Sequence, residues 1–408
     1  MSEHPPTGPA SRAKREPSRA TPDQADGSAP GRRRRLVFVL ALVLVNLLVL
    51  EGLGYAVSRL LPQLISDPED HLDDIADFDV YADFVEAVHD PVTGWENLRS
   101  RTVRQPNCLG ETFTQHTDAN GARRTPVAGD VRVLFVGDSF TFGHGVDDFE
   151  AYSAQVARQL DVPVANYGVP GFDPLQATLL LREKAPLHPR AEAAVLGIMY
   201  ENIRRLRTGF RYTMHVSPHS AFQYKPWLDV VDGEVRMFPS RDRTPATSPE
   251  ELAARATDAM RSDYYAPDAG APPYLVRLLH NLGRDSTLLR IREAWDPMYS
   301  QYYEDDDYRA IMLYAVRLFL DTAHELRLRP LVFFLPSNSH DTTSPEAIVE
   351  TINAEYGATY VYDAGDMKID WDRYSLRPGD CHPSEYGHAA IAGFVAPKVR
   401  RVIERAGG

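Results

Sequence analysis

Cysteine is nearly missing from this chain: its 408 residues contain two, Cys108 and Cys381. One disulfide is the most they can form, and the alternative is a pair of buried thiols. Positive charge is also short, with 44 Lys and Arg against 57 Asp and Glu and a formal net charge of −13. No basic patch with interleaved aromatics occurs beyond residue 60, which excludes nucleic acid as a partner. No internal repeat is found. No ligand cluster has zinc-site spacing either: Asp380, His382 and His388 lie close in sequence, but His388 reads as a surface or helix-capping residue. No metal and no cofactor is expected.

Residues 1 to 31 contain no Leu, Ile, Val or aromatic residue and are rich in Pro, Ala, Ser and Gly. Such a composition cannot offset the entropy of ordering, so residues 1–35 are expected to be a disordered tail. Arg32 to Arg35 close that tail, and LVFVLALVLVNLLVLEGLGYAV follows over residues 36–57, interrupted only by Asn46 and Glu51. A helix rising about 1.5 Å per residue crosses a hydrocarbon core of about 30 Å over such a length. Eight Lys and Arg precede the segment and the acidic stretch SDPEDHLDDIADFD follows it. The positive-inside rule then places the N-terminus in the cytoplasm and the rest outside, as a single-pass anchor over 36–58. A flank of this length is long for a cleavable signal peptide. An extension over 59–130, acidic and helical in part near the anchor, leads to the folded body.

From Val131 the pattern changes. VRVLFV, VPVANYG, AAVLGIMY, PLVFFLP and ATYVYDA are short apolar runs, and DFEAYSAQVARQL and YRAIMLYAVRLFLDTAHELRL between them have helical periodicity. This alternation predicts parallel strands joined by right-handed crossover helices, hence a three-layer α/β/α domain over 131–408. The last helix is expected from about Ser384 to Arg405, with Ser384 as its cap. One long insertion, about 204–307, breaks the rhythm. It holds a predicted hairpin, KPWLDVVDGEVRMFP, turning at Asp232-Gly233, and reads either as a lid or subdomain or as a cover for an edge. Its many tyrosines read as packing.

In VRVLFVGDSFTFGHG, residues 131–145, an apolar run stops at Gly137-Asp138-Ser139. Open parallel sheets bind ligands beyond the carboxyl ends of their strands, which is where Ser139 falls. A serine hydroxyl needs a base to accept its proton and a group to orient that base. The stretch GDCHPSEYGH offers both, Asp380 standing two residues before His382.

With NYGVPG (Asn166 to Gly171) and YEN (Tyr200 to Asn202) between them, these blocks resemble the SGNH (GDSL-type) hydrolase superfamily, and they occur in the family's order. The resemblance implies an SGNH-hydrolase-like, flavodoxin-like sheet, with Ser139 as nucleophile, His382 as general base and Asp380 as its orienting partner. It also implies an oxyanion hole from the Ser139 and Gly171 N–H groups and the Asn202 amide. Two departures exist: Ile203 stands where the family usually has Asp, and Asp380 is two rather than three residues before His382. Neither removes a required functional group. The outer part, including TGWENL and DANGARRTP, is similar to membrane-anchored bacterial SGNH proteins. The implied activity is hydrolysis of an O-acyl ester, acetyl among the candidates, on an envelope or exported glycan. O-acyl transfer to a polysaccharide by the same residues and a catalytically silent glycan-binding or assembly role remain the alternatives, and the oligomeric state is open.

Overall fold

The computed structural model describes residues 30–60, 72–215, 217, 220–266, 272–284, 288–289, 300–337, 345–357, 360–376 and 382–404. The expected tail up to residue 29 therefore lies outside the described residues. The chain divides into two units, one ending at Gly52 and the next starting at Leu53. Helix α1, Pro30–Leu60, is longer at both ends than the apolar run. Its segment Arg33–Val57, with a hydropathy of 2.7, is the one helix among the described residues long and apolar enough to cross a membrane.

Five strands form the main sheet: β1 Val133–Gly137, β2 Val164–Gly168, β3 Ala193–Met199, β4 Arg329–Leu335 and β5 Val361–Asp363. All neighbours are parallel, in the order β5-β4-β3-β1-β2. Every residue of β1, β2 and β3 is buried, which is why these strands read as unbroken apolar runs and not as alternating ones. Each of the five runs quoted from sequence supplies one strand.

Helices cover both faces. Leu134, Val136 and Leu196 pack toward α3 (Pro174–Lys184), α4 (Asp306–Glu325) and α5 (Glu346–Tyr356) through residues such as Leu180, Phe319 and Ile352. The alternate residues Val133, Phe135 and Val195 pack toward α2 (Tyr152–Leu160) and α6 (Glu385–Glu404) through Val156, Ile391 and Val395. The expected three-layer α/β/α arrangement is therefore present. Helix α6 begins where the sequence placed it, and the Gly387 N–H donates to Ser384 Oγ at 3.1 Å. The strand order reverses between β1 and β3, so a crevice opens at their carboxyl ends.

The insertion has a core of its own. Its hairpin pairs Trp227–Val231 with Glu234–Phe238, and Asp232 and Gly233 at the turn have φ values of 55° and 79°, as a tight hairpin loop requires. Phe210, Tyr212, Phe222, Tyr224, Leu252 and Met260 pack with Ile75 and with Tyr81 of the helix Phe78–Val88. Tyr81 also donates from its hydroxyl to Asp242 at 2.9 Å, and Arg255 pairs with the same carboxylate. The acidic segment after α1 is thus built into the body by its apolar residues.

A second tie joins the insertion to the sheet layer. Lys225 Nζ lies 2.5 Å from Asp173 Oδ2 with both side chains fully buried, and Asp173 caps α3. Removing one member leaves the other charge buried and unpaired. Lys225→Met is expected to cost about 3–5 kcal/mol of stability by urea denaturation. A cost under about 1 kcal/mol would show that Asp173 finds another partner.

Candidate active site

Strand β1 delivers Ser139 through a turn that only glycine permits. Gly137 has φ 153° and lies level with Gly168 and Gly197 on the flanking strands. A Cβ at Gly137 would lie 2.3 Å from Thr141 Oγ1 and 2.6 Å from the Gly197 carbonyl oxygen. The chain turns at once into the one-turn helix Ser139–Phe142, capped by Asp138, whose carboxylate accepts the Phe140 N–H at 2.9 Å. Ser139 opens that helix, so its own N–H has no helical acceptor.

His382 arrives from the other end of the chain, just before α6. Its carbonyl accepts the Leu376 N–H at 2.9 Å, and the adjacent Pro383 bridges Ser375. Its Nε2 lies 2.8 Å from Ser139 Oγ. The ring sits 5.7 Å from Phe140 and 4.7 Å from His144. Burial, with smaller contributions from His144 and Arg205, pushes His382 down to about 3, so the imidazole is neutral at physiological pH and able to accept a proton. Ser139 and His382 are thus brought together. Asp380 lies outside the described residues, as does Cys381; Cys108 is disulfide-bonded.

Asn202 is held at both ends of its amide. Its Oδ1 accepts the Met199 N–H at 3.0 Å and its Nδ2 donates to Asp138 Oδ2 at 2.9 Å, which leaves one amide N–H without a hydrogen bond among the described residues. Asp138, the residue before the serine, therefore fixes both the nucleophile turn and the asparagine. Burial raises its pKa, against Arg205 and the Asn202 and Phe140 hydrogen bonds. Gly171 has φ 87°, in a loop that leaves β2 with the Val169 N–H donating to the Gly137 carbonyl at 3.0 Å. That loop is therefore anchored to the strand end from which Ser139 emerges.

His388 departs from expectation. It is neither exposed nor a cap: it is fully buried on α6, its Nδ1 accepts the Tyr152 N–H at 3.3 Å, and its ring stacks on Tyr152. Facing α2 one turn into the helix, it is a packing residue between two helices.

Comparison with family models finds no match, and comparison with curated proteins finds none. Solved structures similar to the chain include a lipolytic protein of the G-D-S-L family from Desulfitobacterium hafniense, 11% identical with a TM-score of 0.30, over 67% of this chain and 99% of that one. Another member of that lipolytic family, from Veillonella parvula, is 12% identical with a TM-score of 0.32, over 64% of this chain and 94% of that one. A carbohydrate esterase is 12% identical with a TM-score of 0.29, over 70% of this chain and 69% of that one. These likenesses are distant, and the fold class rests on the strand order. The chain has a three-layer α/β/α fold on a five-stranded parallel sheet.

Residues that brace this site were not singled out by sequence. Arg123, inside DANGARRTP, is 2% exposed. Its Nε donates to Asp148 at 3.0 Å, and its two Nη groups donate to the carbonyls of Phe142, Gly143 and Val146, beneath the loop that follows Ser139. Trp95 and Asn97 of TGWENL donate to the carbonyls of Pro170 and Gly168, so they brace the second loop. The signal was present as two polar motifs ahead of the sheet, but nothing in their spacing says what they touch.

Arg123→Met removes the guanidinium from three carbonyls and from Asp148, leaving Asp148 with His116 and the Phe142 carbonyl with the Asn166 amide at 3.3 Å. About 3–5 kcal/mol of stability should be lost in urea denaturation. Wild-type stability in that variant would mean that solvent reaches the loop and replaces the guanidinium.

Proposed function

We propose that the chain is a membrane-anchored serine esterase that hydrolyses an O-acyl ester, acetyl among the candidates, carried by an envelope or exported glycan. The observation that carries this reading is the 2.8 Å contact between His382 Nε2 and Ser139 Oγ at the carboxyl end of a parallel sheet. Ser139 attacks the ester carbonyl while His382 takes the hydroxyl proton, then returns it to the leaving alcohol oxygen. Water, deprotonated by the same imidazole, attacks the acyl-enzyme and releases the acid and the free serine. The Ser139 N–H, the Gly171 N–H and the remaining Asn202 amide N–H form the oxyanion hole. Asp380, two residues before His382, orients the imidazole. The acyl substrate is reached outside the cytoplasm, with the 36–57 segment in the membrane and the N-terminus inside, as the charge distribution supports.

Ser139→Ala should reduce hydrolysis of 4-nitrophenyl acetate to the uncatalysed rate and abolish labelling by a fluorophosphonate, while the unfolding midpoint stays within error of wild type. Full activity in that variant would remove the proposal. Labelling of the wild type with no turnover on any ester would instead favour the silent binding role. Product analysis by mass spectrometry with a glycan acceptor present distinguishes hydrolysis from transfer.

The pH profile follows from the state of His382. The base acts when neutral, and its pKa is lowered to about 3, so activity should persist as pH falls through the ordinary histidine value of 6.5 and vanish only at lower pH. An acid limb of kcat/KM at or above 6.5 would show that the imidazole is not held down by burial in the working enzyme, as pairing with the Asp380 carboxylate would bring about.

A further inference from the structure

The cations of the 204–225 region are committed to partners, with one exception beside Gly171. Arg205 donates to Glu201 at 2.8 Å and to the Phe172 carbonyl at 3.0 Å, Arg204 donates to Glu201 at 2.6 Å, and Arg207 donates to Asp229 at 2.7 Å. Lys225 is held by Asp173. Arg211 forms no ion pair among the described residues. Its Nη1 donates to the neutral Gln223 Oε1 at 2.7 Å, and its Nε is buried without a hydrogen-bond partner.

This guanidinium lies against the backbone of the oxyanion loop. A Cβ at Gly171 would run into Arg211 Nη1 and would lie 2.9 Å from its Cζ. Burial and the neighbouring Arg205 push Arg211 down to about 10, still well above neutral pH, so the group is charged. Among the described residues, Arg205 and Arg204 repel this guanidinium while Glu201 and Asp138 attract it. A half-buried, unpaired guanidinium is costly unless an anion completes it.

We propose that Arg211 is an anion subsite, which takes a carboxylate carried by the ester substrate and so selects acidic over neutral glycans. This rests on the esterase reading above and goes further by naming the substrate class. A planar carboxylate can accept two parallel N–H groups from a guanidinium, which fixes orientation as well as charge. Gln223, which accepts from the Arg211 guanidinium, also lines a cavity of about 310 Å³ with Trp95, Phe142, Val169 and Pro170, at the small end of the range for ligand pockets. That cavity lies on the same loop and offers apolar surface to a sugar ring beside the carboxylate.

The test uses the full chain with O-acetylated oligogalacturonate and its carboxyl-reduced counterpart. The wild type should prefer the acidic form by about tenfold or more in kcat/KM, mainly through KM, and lose the preference between about 50 and about 500 mM salt. R211Q should erase the preference by raising KM for the acidic form, and R211K should restore part of it. Calorimetric titration of Ser139→Ala with the acidic oligosaccharide, alone and combined with R211Q, reads the subsite without turnover. Binding that needs Arg211 supports the subsite even if hydrolysis of 4-nitrophenyl acetate fails and the esterase reading falls. Equal affinity of S139A for acidic and reduced forms, or an R211Q effect of the same size on both, overturns the proposal.

Discussion

A buried guanidinium must have its donors met within the protein, and the Arg123 side chain meets that demand with the loop that follows Ser139. Residues 142–146 leave the one-turn helix without regular structure, so their carbonyls have no ladder to join. Arg123 supplies donors to three of them and draws its counter-charge from Asp148, which also accepts from the His116 N–H at 3.0 Å. Its backbone is fixed as well, since the Arg123 N–H donates to the Asn166 carbonyl on edge strand β2 at 2.8 Å. The block ahead of Val131 is therefore a brace under the site. Burial lowers the Arg123 pKa, and the hydrogen bond and charge of Asp148 work against that.

The second loop of the site is held by cations from the other side. Three consecutive residues meet three of them: Gly171 touches Arg211, the Phe172 carbonyl accepts from Arg205, and Asp173 pairs with Lys225. All three come from the stretch that begins after Asn202, so the insertion grips the loop that would carry an oxyanion donor. The insertion is in turn packed on the helix Phe78–Val88 through Tyr81. A chain of packed contacts thus runs from the segment next to α1 to the rim of the sheet.

The sheet was legible because strands buried on both faces leave little choice of residue: VRVLFV and AAVLGIMY can hardly be read otherwise. The hairpin was legible through Asp232-Gly233, and the start of α6 through Ser384, since both signals are local backbone chemistry. Ser139 and His382 were singled out because their residue types and order are distinctive, and the two side chains lie 2.8 Å apart. His388 was misread because a histidine on a helix carries no mark of which face it occupies. Arg123, Arg205 and Arg211 were not found for a related reason: a buried arginine is specified by carbonyls and carboxylates distant in sequence, and composition treats it as one more surface charge. Helix α3 also went unremarked, although Asp173-Pro174 and Gln176 form a full capping box.

Ser139 and His382 are separated by 243 residues, and the last helix must dock on the sheet before they meet. Loop closure over such a span comes late in folding, after local helices and neighbouring strands have formed. The hydroxyl therefore gains its imidazole only when the chain is finished and its two ends have come together. Until that helix docks, the two side chains are held no closer than any other pair so far apart in sequence.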